Sequence, residues 1–132
     1  MALTINKTVL FDGERDSVIH FNITGTDGPV ETLLAYSTLA GSPTSIKIAR
    51  VIYTARSASA FLLWGADVNE TFLEIPDNDS NDLNFYSGEM GFGGIVDTPF
   101  STGLNQNIMI TTKSMAAGDG ITIILYIKKR FD

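Results

Sequence analysis

Phe61-Leu62-Leu63-Trp64-Gly65-Ala66 is the densest run of large apolar side chains in the chain, and it holds the only tryptophan. A short apolar and aromatic run bounded by small residues reads as a strand in the middle of a core. Tryptophan and phenylalanine side chains each bury on the order of 150–250 Å², so other strands must cover them. Phe61 and Trp64 are therefore assigned to the core.

Immediately upstream, Ser45 to Arg56 places Ile46, Ile48, Arg50 and Ile52 on one parity and Lys47, Ala49, Val51 and Tyr53 on the other. Its β-branched and aromatic content favours strand over helix. The small-residue break Ser57-Ala58-Ser59-Ala60 suggests a hairpin whose return arm carries Trp64. Toward the N-terminus, Ile19, Phe21 and Ile23 share one face of a strand while Val18, His20 and Asn22 share the other, which puts Phe21 in the core. Thr4 to Phe11 forms a first strand ending at the turn dipeptide Asp12-Gly13. Val30 to Tyr36 resumes an apolar run after the turn Gly25-Thr26-Asp27-Gly28-Pro29.

Downstream, Glu70 to Ile75 is short and strand-like and stops at Pro76. Asp77 to Asp82 reads as a polar loop, and Leu83 to Phe92 mixes aromatics with glycine as turns or bulges do. Ile95 to Thr98 makes a further short strand, and Ile108 and Ile110 alternate within Asn107 to Thr112. Ile121 to Ile127 is nearly all apolar, the pattern of a strand buried on both faces, and brings Ile123 and Leu125 into the core. Eight to nine short strands at roughly 8–12-residue spacing predict an all-β chain, an antiparallel β-sandwich, with the jelly roll among its arrangements. No linker divides residues 1–132, so one domain is expected.

Composition removes several function classes. The net charge of −6 repels a nucleic-acid backbone. The absence of cysteine removes disulfides, thiolate zinc sites and thiol nucleophiles. No apolar run approaches the roughly 18 residues needed to span a bilayer, and the first residues lack the basic-then-apolar pattern of a signal peptide. The expectation is therefore a chain made in a cytoplasm, with neither nucleic acid nor membrane as partner. The single histidine, His20, cannot form a multi-imidazole metal cage within one chain, and its strand neighbours Val18 and Asn22 supply no acid–base partner. Neither a G-x-S-x-G elbow nor a complete G-x-G-x-x-G loop is present, so the residues point to no enzyme and no cofactor.

Three features carry other chemistry. Asp77, Asp79 and Asp82 begin like a calcium loop, with oxygen ligands at alternate positions, but the glycine and the closing glutamate fall out of register; a nonstandard calcium site and a solvated acidic loop stay open. Phe85, Tyr86, Met90 and Phe92 lie among flexible glycines, where they either cover a neighbouring subunit or fold back on their own core. Lys128, Lys129 and Arg130 are either a solubilising strand end or a dock for an acidic partner.

Val18 to Gly25, Glu31 to Leu34, Leu39 to Pro43, Phe61 to Ala66 and Gly118 to Lys129 together resemble, in this order, a family of small virion proteins of tailed bacteriophages, the head decoration or cement proteins. Where that family's Leu-Leu-Trp is followed by Asp-Ala, this chain has Gly65-Ala66, and Pro76 to Gly94 lies outside the resemblance. The resemblance implies a non-catalytic structural protein on the capsid exterior, bound to the major capsid protein as a homo-oligomer, often a trimer. Independently of the resemblance, Phe85, Tyr86, Met90 and Phe92 are the candidates for contact with a neighbouring subunit, and Met1 to Lys7 or Lys128 to Arg130 for contact with the major capsid protein. Another virion component, such as a neck or tail protein, and a carbohydrate-binding sandwich are the alternative readings.

Overall fold

The computed structural model describes residues 3–66, 69–85, 95, 107–116 and 118–130. These form nine strands: β1 Leu3–Asp12, β2 Asp16–Gly25, β3 Glu31–Leu34, β4 Ser45–Arg56, β5 Ser59–Trp64, β6 Glu70–Ile75, β7 Ser80–Asn84, β8 Ile108–Lys113 and β9 Gly120–Arg130. A 3-10 turn, Tyr36–Thr38, follows β3. One sheet has the order β1-β2-β9-β4-β7 and the other β3-β8-β5-β6, and every pair in both is antiparallel.

With β1 set aside, the remaining strands pair first with last: β2 with β9, β3 with β8, β4 with β7 and β5 with β6. The chain is thus one long antiparallel ribbon, turned between β5 and β6 and rolled so that β9 meets β4 and β8 meets β5. That is the jelly-roll form of the β-sandwich. β1 is an addition to it, held along β2, and among the described residues no strand pairs with its other side.

The two sheets enclose one apolar layer. Ile19, Phe21 and Ile23 of β2, Ile121, Ile123, Leu125 and Ile127 of β9, and Leu62 and Trp64 of β5 are all buried in it. Phe21, Trp64, Ile123 and Leu125 are therefore core residues, as their strand patterns imply. β9 is fully buried on its inner face only; Thr122, Ile124, Tyr126 and Lys128 on the outer face are half-buried. The apolar outer residues there reflect lateral cover from β2 and β4, not a third layer.

Bulges explain where alternation misleads. In β4 the register shifts between Ile48 and Arg50, so Ala49 is the extra residue. The shift lets Ile46 and Ile48 before it, and Val51, Tyr53 and Ala55 after it, all point inward. In β6 the shift falls at Phe72, because Leu62 pairs Leu73 while Leu63 pairs Thr71. Phe72 then packs on Trp64, with ring centroids 5.0 Å apart.

This corrects the assignment of Phe61 to the core. Ala60, Leu62 and Trp64 have the inward parity, and Phe61 is half-buried on the opposite face, between Thr111 and Glu74. The expected hairpin of β4 with β5 is not formed either. β4 pairs with β9 and β7, whereas β5 pairs with β8 and β6, so the break at Ser57 carries the chain from one sheet to the other. Ser57 has φ 62° and its amide donates to Asn78 Oδ1 at 3.0 Å, a turn that sends the strand across the sandwich instead of back alongside itself.

Candidate interaction surface

The C-terminal end of β9 meets the β1–β2 turn and the segment after the 3-10 turn, and there the sequence has built a buried cation. Lys129 has the inward parity of β9, and its side chain is fully shielded. Its Nζ donates to Asp12 Oδ1 at 2.5 Å, Gly13 O at 2.5 Å and Ala40 O at 2.7 Å. All three ammonium donors are thereby used. Asp12 also accepts from Ser17 Oγ at 2.7 Å and from the Ala40 amide at 3.0 Å. Burial pushes the Asp12 carboxyl up, but the hydrogen bonds from Lys129, Ser17 and Ala40 outweigh it and hold it below the ordinary aspartate value.

Lys129 is therefore no docking cation: it is a knot tying three segments together. Lys128, of the opposite parity, faces outward and sits 2.8 Å from Asp16 Oδ1. Arg130 is the last residue of β9 and pairs with Ser45. Strand alternation thus withdraws Lys129 from the basic cluster, while Lys128 stays on the outer face.

Beside this knot the end of β1 is apolar and open. Val9, Leu10 and Phe11 are 48%, 56% and 56% exposed, and a register shift between Val9 and Phe11 makes Leu10 a bulge. The Phe11 ring lies against Gly13, where an added Cβ would stand 2.6 Å from Phe11 Cζ. Edge strands are ordinarily blunted by charge or proline. Here Lys7 is the only charged residue from Leu3 to Phe11, and Met1 and Ala2 lie outside the described residues. Sequence reasoning placed these residues in an ordinary first strand; the signal was three consecutive apolar residues directly before Asp12-Gly13, a run that alternation cannot bury.

The other candidates fare differently. Phe85 is buried in the core, and its amide donates to Ala49 O at 2.8 Å, so it folds back on its own domain and does not reach a neighbour. Tyr86, Met90 and Phe92 lie outside the described residues. Ile95 pairs with Ile48 in an isolated bridge; the remainder of the strand expected there is not described. Asp77, Asp79 and Asp82 do not converge as a calcium site would require. Ser80 already begins β7, and Asp82 is taken by Arg50, whose Nε donates to Asp82 Oδ1 at 2.7 Å while Nη2 bonds the other oxygen. Asp79 accepts from Tyr53 Oη at 2.8 Å. Among the described residues no group of three histidine, cysteine or acidic side chains is placed to hold a metal.

On the outer face of the five-stranded sheet, the Arg50 guanidinium lies 5.2 Å from the centre of the Tyr126 ring. The hydrogen bonds from Arg50 hold the Asp82 carboxyl below its ordinary value. Burial and the bond to Asp79 hold the Tyr53 phenol above its own. Both groups are parts of structural pairs. His20 faces outward from β2 with Thr8 and Ile124 as its cross-strand neighbours, neither of which is an acid or a base.

Searches against known proteins return no protein-family model that matches this chain and no curated protein with significant sequence similarity to it.

Proposed function

We propose that this protein is a structural component of a tailed-bacteriophage virion, decorating the capsid exterior by binding the major capsid protein as a homo-oligomer. Trimeric association, assembly in the host cytoplasm and a non-catalytic role belong to the same reading. The observation that carries it is the apolar end of β1, Val9-Leu10-Phe11, exposed on an open sheet edge beside the Lys129 knot. Contiguous exposed apolar side chains on a folded domain mark contact sites, and a strand edge offers unpaired backbone groups to a partner. The resemblance in the strand and turn motifs supplies the identity of the partner. Cement function needs contact area and repetition, which symmetry provides through multivalency.

The test is addition of the protein to shells that lack it, followed by heating. Bound protein raises the temperature at which the shells open. Phe11→Ser leaves the domain's own unfolding within about 0.5 kcal/mol of wild type, as expected for an exposed position. It weakens shell binding about tenfold or more, as loss of an interface anchor does. Wild-type binding strength in Phe11→Ser would remove β1 from the interface.

A further inference from the structure

The far end of the five-stranded sheet carries a hollow that the structural role does not use. It has a volume of about 410 Å³ and is walled by Asn22, Thr24, Thr54, Arg56, Asp119 and Thr122 around Gly120. Asn22, Thr122 and Thr54 stand in one row across β2, β9 and β4, since Asn22 pairs Thr122 and Thr122 pairs Thr54. Gly120 pairs Arg56 in the next row, so the floor of the hollow lacks a side chain. The fold does not require that gap: a Cβ on Gly120 would meet only Ile23 O, at 3.9 Å.

Two charged pairs elsewhere on this sheet satisfy each other, Arg50 with Asp82 and Lys128 with Asp16. The hollow is lined differently. Among the described residues, the side chains of Asn22, Thr24, Thr54, Arg56 and Thr122 have no hydrogen-bond or ion-pair partner. Hydroxyl, carboxamide and guanidinium groups thus converge with their hydrogen-bonding capacity unspent. Asp119 orders its own turn by accepting from the Ala116 amide at 2.8 Å.

We propose that this hollow binds a neutral sugar residue of a glycan. A sugar hydroxyl is both donor and acceptor and matches a lining that offers both. One cation and one carboxylate balance each other there, and the chain's net charge of −6 disfavours a free anion. The volume lies within the range of small-molecule sites. With no aromatic side chain in the lining for a sugar to stack on, affinity rests on hydrogen bonds, and dissociation constants are on the order of 1 mM. The hollow lies about 30 Å from Lys129, nine residues along β9, so a shell contact at β1 and a glycan at the far end are compatible, and neither depends on the other.

The test is a titration of the full chain with glucose, galactose, mannose and N-acetylglucosamine, read by amide chemical shifts, with inorganic phosphate as a parallel arm. The expected result is saturable shifts at Asn22, Thr24, Thr54 and Gly120 with at least one sugar. Gly120→Ala, which fills the floor, and Thr54→Val, which removes one hydroxyl at constant shape, each weaken that binding about fivefold with an unchanged thermal midpoint. Absence of saturable shifts with all four sugars overturns the proposal. So do wild-type affinities in both variants, or saturation by phosphate alone.

Discussion

Trp64→Ala is expected to lower unfolding stability by about 3–5 kcal/mol, the usual cost of removing a large aromatic from a core. Trp64 is 2% exposed, and its strand lies between β8 and β6 in the four-stranded sheet. Its ring is seated on Phe72, which reaches it because the β6 bulge turns that residue inward. Truncation leaves a cavity that two rigid sheets cannot close. Trp64→Phe keeps an aromatic ring against Phe72 and so costs less than Trp64→Ala. Urea unfolding of the wild type and both variants measures this. A loss below about 1 kcal/mol in Trp64→Ala would show that the residue is not a core anchor.

Asp12→Asn is expected to cost about 3 kcal/mol or more, because it leaves the Lys129 ammonium buried without a counter-charge. The two carbonyls that also accept from Lys129 cannot neutralise it. Asp12→Asn combined with Lys129→Met should be less damaging than Asp12→Asn alone, since the second change removes the stranded charge. The same pair sets a pH dependence. The folded Asp12 carboxyl is held below its ordinary value, so its contribution is fully present above the unfolded aspartate pKa of about 3.9. It is lost as pH falls through the lower folded value. Thermal midpoints of the wild type should therefore drop on acidification below about pH 4, and those of Asp12→Asn should drop less steeply. A parallel fall in both would detach Asp12 from the acid response.

Strand content was legible in the sequence because the inward faces of β2 and β9 alternate without interruption. Ile19, Phe21 and Ile23, and Ile121, Ile123 and Leu125, need only a period of two to be found. Bulges defeat that rule. Ala49 shifts the face of β4 within the strand, and Phe72 takes the place beside Trp64 that parity gives to neither Phe61 nor Leu63. Pairing across the roll was illegible for a different reason. β2 meets β9 about a hundred residues downstream, and nothing local to Ser57 announces a crossing between sheets instead of a hairpin.

The interaction surface was half legible. Lys128 to Arg130 reads as a charge run, yet the same alternation that builds the strand sends Lys129 inward to Asp12, Gly13 and Ala40. Those partners lie in segments that only the fold brings together. The exposed end of β1 and the polar hollow at Gly120 each draw on residues unremarkable in their own stretches, and they become sites through register alone.

The most direct measurement of the central reading is the ratio of this protein to the major capsid protein in shells saturated with it and freed of unbound material by sedimentation. A virion decoration role predicts saturable binding at a fixed ratio set by shell symmetry, reduced by Phe11→Ser and unaffected by Thr54→Val. No binding to shells at any salt concentration, or a ratio that rises without limit as protein is added, would contradict it.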